Sequence, residues 1–82
     1  DMMRYGGGRY AEFGVGSITY AMKARSALDA AGIQSDVTRL DPAKTPMGCA
    51  WGIRVNAGAA AGAERTMRSA GIVYSVITRP SG

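Results

Sequence analysis

Two short segments of the sequence repeat, and they constrain the fold more than any other feature. The triplet Ala-Gly-Ile occurs at residues 31–33 and again at 70–72, and the pair Thr-Arg occurs at 38–39 and again at 78–79. Glycine followed by an apolar residue is typical of a helix end, because glycine adopts the left-handed conformation and the apolar residue covers the last turn. Each triplet therefore predicts that a helix ends there and that a strand follows.

Residues at helical spacing precede each triplet, and alternating residues flank each predicted helix. The helical faces consist of Ala21, Ala24, Leu28 and Ala31 in the first half, and of Ala60, Ala63, Met67 and Ala70 in the second. Alternation predicts strands from Phe13, from Ile33 to Leu40, from Ala50 to Asn56 and from Ile72 to Arg79. Each half thus reads as strand, helix, strand.

Two strand–helix–strand units in succession predict an α+β chain with a ferredoxin-like βαββαβ fold. We expect an antiparallel four-stranded sheet in the order 4-1-3-2, with both helices on one face. Residues 13–80 would form this single domain. Residues 1–12 contain three consecutive glycines, which favours a flexible N-terminal arm.

The bulk composition limits the size of the core and the kind of partner. With 82 residues and 12 glycines, the chain has room for one domain with a small apolar core. We therefore expect self-association, and a homodimer is one form of it. The net charge of +4 arises without a run of Lys or Arg, which indicates a mildly basic surface and not a nucleic-acid-binding patch.

The chain has one cysteine and no histidine, which excludes several kinds of site. An intramolecular disulfide and a cysteine-based zinc cluster both need more cysteines. Ser-His-Asp and Cys-His catalysis need a histidine. We expect neither a metal nor a cofactor. No stretch reads as a signal peptide or a membrane span, so we expect a reducing, cytoplasmic compartment.

The predicted topology gives Cys49 a distinctive location. The third strand would start beside the end of the first, where Ser17 and Thr19 open the first helix. Backbone N–H groups and the helix dipole stabilise an anion at such a helix start, and this should lower the pKa of the thiol. We expect Ser17, Thr19 and Gly48 to shape the site. Arg39 and Lys44 would add positive charge.

Other interpretations of Cys49 and of the remaining candidates stay open. A lone cysteine at a strand start is often a small buried apolar residue without chemistry. The Gly6–Gly8 run lacks the strand and helix that a phosphate-binding loop needs. We interpret Trp51 as a core or interface residue, and we place Arg54 on the solvated sheet face or at a dimer contact.

The sequence resembles a family of small proteins described as selenium/sulfur (Se/S) carrier-like. The resemblance rests on GSITYAMKARSALDAAGI at 16–33, GCAWGIRV at 48–55 and AGI at 70–72. Together these stretches extend from residue 16 to residue 72. Family members typically have glycine after the cysteine, where this chain has Ala50.

The resemblance implies that Cys49 carries sulfur or selenium as a persulfide or selenosulfide, receiving it from a donor protein and passing it to an acceptor protein. Such a carrier needs a reactive thiol and no acid–base machinery, so the chain would be a carrier and not a true enzyme. The alternative is a non-catalytic interaction or regulatory module, because a ferredoxin-like sheet hosts many functions. A weaker third interpretation is RNA binding through the sheet, although the chain lacks the aromatic pair that such sheets use.

Overall fold

A computed structural model describes residues 10–41, 43 and 50–78 of the chain. Its elements follow in the order β1 (Tyr10–Gly14), α1 (Ile18–Ala30), β2 (Ser35–Arg39), β3 (Trp51–Asn56), a 3₁₀ turn (Ala57–Ala59), α2 (Ala60–Ser69) and β4 (Ser75–Thr78). No helix in these described ranges is long and apolar enough to cross a membrane.

The four strands form one sheet in the order β2-β3-β1-β4, and every neighbouring pair is antiparallel. Phe13 of β1 lies opposite Ile53 of β3, which in turn lies opposite Val37 of β2. The register between β1 and β4 shifts between Glu12 and Phe13. The chain is therefore an α+β domain with a four-stranded antiparallel sheet and two helices, which is compatible with the predicted ferredoxin-like fold.

One face of the sheet carries the core, and both helices pack on it. Side chains alternate along a strand, so Phe13, Ile53 and Val55 point to the same side. They join the helix residues Ala21, Ala24, Leu28, Ala63 and Met67 in one buried cluster. The predicted helical faces agree with this packing except at Ala31, which is the exposed C-cap of α1. We call the opposite side of the sheet the outer face.

Both helices end in the same hydrogen-bonded motif. The N–H of Ile33 donates to the carbonyl of Leu28 at 2.8 Å, and the N–H of Ile72 donates to the carbonyl of Met67 at 2.9 Å. The preceding glycines have positive φ angles, 77° at Gly32 and 74° at Gly71. These are Schellman caps, and they confirm the helix ends that the repeated triplets predict.

Three strands differ in extent from the prediction. β1 begins at Tyr10, so residues 10–12 are part of the sheet and not of an arm, because they pair with residues 54–56 of β3. β2 and β4 are shorter than predicted. β4 starts at Ser75, after the N–H of Ile72 has completed the cap of α2. Residues 1–9 of the predicted arm and residues 79–80 of the predicted domain lie outside the described residues.

Candidate functional site

The structure describes three of the six residues that the sequence assigns to a thiol site. Ser17 and Thr19 open α1, and Arg39 ends β2. Cys49, Gly48 and Lys44 lie outside the described residues.

The start of β3 lies between the ends of β1 and β2. The N–H of Val15 donates to the carbonyl of Trp51 at 3.0 Å, and the N–H of Leu40 donates to the carbonyl of Ala50 at 2.8 Å. These two bonds fix the residues that follow Cys49 in sequence at the end of the sheet from which the chain enters α1. The sequence predicts that the third strand begins beside the end of the first, and β3 does begin there.

The side chain of Ser17 caps the start of α1, and no acidic side chain neutralises the positive end of the helix dipole there. Ser17 has an extended backbone, and its Oγ accepts a hydrogen bond from the N–H of Tyr20 at 3.2 Å. No acidic residue occupies the first turn of α1. The first N–H groups of a helix have no partner within it, and they carry the positive end of the dipole. Because these N–H groups and the dipole are positive, the start of α1 favours an anion. Thr19 is exposed in this first turn.

Arg39 supplies a positive charge at the same end of the sheet. It lies opposite Trp51 in the register of β2 and β3, and its guanidinium carbon is 5.2 Å from the centroid of the Trp51 ring. The Trp51 ring is half-buried and packs against the core cluster, as the sequence analysis expects. Its contact with Arg39 is a cation–π interaction that orders the exposed arginine.

A cavity of about 250 Å³ opens next to the start of α1. Its lining includes Gly14, Gly16, Tyr20, Val73 and Tyr74. Val73 is 88% exposed and Tyr20 is 52% exposed. The cavity thus brings exposed apolar side chains close to the capped helix start.

Tyr74, in the wall of this cavity, belongs to a polar cluster that the sequence analysis does not identify. Its hydroxyl donates to Glu64 Oε1 at 2.7 Å and accepts from Arg68 Nη1 at 2.8 Å. Burial, together with the hydrogen bond to Glu64, raises the pKa of Tyr74 above its usual 10.0. The Tyr74 ring also meets the Phe13 ring edge to face, with centroids 5.4 Å apart. The cluster therefore ties α2 to the core beside the cavity.

The outer face carries an ion pair that was also missed. Arg54 donates from Nε at 3.1 Å and from Nη2 at 2.9 Å to Glu12 Oε2, and its guanidinium carbon is 4.4 Å from the Tyr10 ring centroid. The hydrogen bond to Glu12 raises the pKa of Arg54 above its usual value. Arg54 lies on the sheet face away from the helices, one of the two locations that the sequence analysis predicts for it. Only the strand register identifies Glu12 as its partner.

Gly52 marks a close approach within the sheet. A Cβ at this position would lie 2.6 Å from the backbone oxygen of Phe13 and about 3 Å from both methyl groups of Leu40. A glycine inside a strand often indicates such an approach, and this is the signal that could have predicted it. Leu40 consequently lies directly above the backbone of β3, close to the start of that strand.

Comparisons with known proteins give no relative for this chain: no family model, no curated protein and no solved structure matches it. Within the described residues, no group of three or more His, Cys, Asp or Glu side chains could hold a metal ion. The features that bear on function are therefore the start of α1 and the residues that surround it.

Proposed function

We propose that the protein is a cytoplasmic sulfur or selenium carrier with a ferredoxin-like βαββαβ fold, in which Cys49 holds the chalcogen. The observation that supports this proposal is the hydrogen bond from Val15 to Trp51. It joins the strand that follows Cys49 to the segment that enters α1, where N–H groups and Arg39 favour an anion. Ser17, Thr19, Gly48 and Lys44 complete the proposed site.

The carrier reaction needs two sulfur transfers and no change in total oxidation state. The Cys49 thiolate attacks the outer sulfur of a persulfide on a donor protein. A new S–S bond forms, the donor's S–S bond breaks, and the donor leaves as a thiolate. An acceptor thiolate then attacks the outer sulfur on Cys49, which returns to the thiolate form. The selenium version passes through a selenosulfide in the same way. Neither transfer needs a general base once the thiol is ionised.

Mass spectrometry tests the proposal directly. The full chain is incubated with a persulfide-forming cysteine desulfurase and cysteine, and the intact mass is measured with and without a reductant. We expect the mass of one added sulfur on Cys49, lost on reduction. The Cys49→Ser variant is the control and should gain nothing. Wild-type protein that stays unmodified under conditions that load a known carrier would contradict the proposal.

The rate of Cys49 alkylation as a function of pH provides an independent check. A thiolate stabilised by the helix start reacts with iodoacetamide well below the usual thiol pKa of about 8.5. A rate that rises only above that pH, or a thiol that does not react in the folded protein, would indicate an inert cysteine. In that case the sulfur-loading result should also be negative.

The second candidate function is a non-catalytic interaction or regulatory module. The cavity beside α1 favours it, because Val73 and Tyr20 expose apolar surface there. Exposed apolar side chains beside a cavity are a common feature of protein-binding sites. The module interpretation predicts that Cys49→Ser keeps full partner binding and that no sulfur is loaded. The carrier interpretation predicts that the same variant loses transfer.

A further inference from the structure

Three charged side chains form a row across the outer face. Glu12 of β1 lies opposite Arg54 of β3, which lies opposite Asp36 of β2. Arg54 donates both of its hydrogen bonds in this row to Glu12, which fixes the guanidinium on the Glu12 side of the row. The Glu12 side chain is only 16% exposed. The exposed Asp36 carboxylate accepts no hydrogen bond from any residue that the structure describes, so one acceptor in the row is unused.

A cavity of about 250 Å³ opens beside this unused carboxylate, and we call it the outer-face cavity. It is lined by Tyr10, Gln34, Asp36, Arg54, Val55 and Asn56. Cavities that enclose small molecules usually measure roughly 300–1,000 Å³. The outer-face cavity falls below that range, which suits a single side chain better than a whole cofactor.

The charged row beside the outer-face cavity has a sign opposite to that of the chain, and two of its members, Asp36 and Arg54, line the cavity. Two carboxylates, Glu12 and Asp36, surround one guanidinium, Arg54, so the row has a net charge of −1, whereas the chain has +4. Glu12 neutralises Arg54 through two hydrogen bonds, so the uncompensated charge at the cavity is the carboxylate of Asp36, which attracts a cation and repels a phosphate. The amide side chains of Gln34 and Asn56 also line the cavity, and each can offer a carbonyl acceptor. The cavity therefore presents acceptors to a group that carries several N–H donors.

We propose that the outer-face cavity binds the arginine side chain of a partner protein. The carboxylate of Asp36 matches the paired N–H groups of a guanidinium, and the amide carbonyls take the remaining donors. Lysine offers a point charge without this paired geometry, so arginine is preferred. The inference does not depend on the carrier proposal, because the cavity lies on the outer face at the strand ends farthest from Trp51 and Arg39.

Nuclear magnetic resonance of the ¹⁵N-labelled full chain tests this inference. The probe is N-acetyl-arginine amide, compared with the lysine and citrulline equivalents. We expect the arginine probe to shift the signals of Tyr10, Gln34, Asp36 and Asn56, the lysine probe to bind more weakly, and the neutral citrulline probe not to bind. The Cys49→Ser variant should bind as the wild type does, which separates this inference from the carrier proposal.

Matched variants test whether the Asp36 carboxylate binds the arginine probe. Asp36→Asn should weaken binding of the arginine probe by about tenfold, the effect of losing one charged hydrogen-bond acceptor. Asp29→Asn removes another exposed carboxylate, from α1, and should change nothing. Asn56→Asp adds an acceptor at the rim and should tighten binding. Equal effects of Asp36→Asn and Asp29→Asn would overturn the inference. So would shifts of the same signals by guanosine monophosphate, an anionic probe that Asp36 should repel.

Discussion

Gly52→Ala is the substitution that the sheet should tolerate least. The added methyl would lie 2.6 Å from the carbonyl oxygen of Phe13, and 3.0 and 3.1 Å from the two terminal methyls of Leu40. The Leu40 side chain can turn aside. The Phe13 oxygen belongs to the backbone of β1, which is paired on both sides, so relieving that contact requires the two strands to move apart.

The expected cost follows from this geometry. Overpacking a well-packed site costs typically about 1–3 kcal/mol, and a backbone contact places Gly52→Ala near the upper end. A domain of this length has a free energy of unfolding of roughly 4–12 kcal/mol, at about 0.05–0.15 kcal/mol per residue. A loss of about 3 kcal/mol should lower the melting temperature by about 12–24 °C, at about 4–8 °C per kcal/mol.

Urea unfolding measures this effect, with far-UV circular dichroism and the fluorescence of Trp51 as two probes. The matched control is Gly58→Ala, because a Cβ on Gly58 meets no atom within 4 Å. The control should unfold within about 0.5 kcal/mol of the wild type, as surface substitutions usually do. If Gly52→Ala is as stable as the control, then β1 and β3 are not packed as closely as described, and the reasoning fails.

Two further predictions concern a helix end and the hydroxyl of Tyr74. Gly32→Ala forces alanine into a φ of 77° and should cost about 1–2 kcal/mol in urea unfolding, and an unchanged free energy would mean that α1 does not end in a left-handed cap. The raised pKa of Tyr74 means that the folded state holds this proton more tightly than the unfolded state. Its contribution to stability is therefore complete below about pH 10 and is lost as the pH rises through the folded-state pKa. Urea unfolding between about pH 9 and pH 11 should show a steeper decline for the wild type than for Tyr74→Phe. Parallel declines would show that the Tyr74 hydroxyl has the same affinity for protons in both states.

Local patterns gave a good account of the helices and of the core. The spacing of Ala21, Ala24 and Leu28 predicts the buried face of α1, because helical periodicity depends only on neighbours along the chain. The same holds for Ile53 and Val55 in β3. Strand ends were harder to predict, since they depend on pairing. Tyr10 and Glu12 look like part of a glycine-rich arm until β3 supplies their partners.

The candidate site was predictable only in part. The sequence predicts that the turn at residues 16–19 opens α1, and the structure shows that Ser17 is the residue that caps it. The contact of Arg39 with Trp51 required the register of β2 and β3, which no local pattern specifies. For Cys49, Gly48 and Lys44 the assignment remains a prediction from the sequence.

The sequence by itself determined where the helices end, which of their faces are buried, and which chemistry the chain lacks. Helix caps and amphipathic spacing are encoded within a few residues, and the absence of histidine can be read from composition. Only the tertiary structure decided that Glu12 pairs with Arg54, that Asp36 is left beside a cavity, and that Gly52 lies against Phe13. These relations join residues far apart in the chain, and strand register, which depends on the packing of the whole sheet, brings them together.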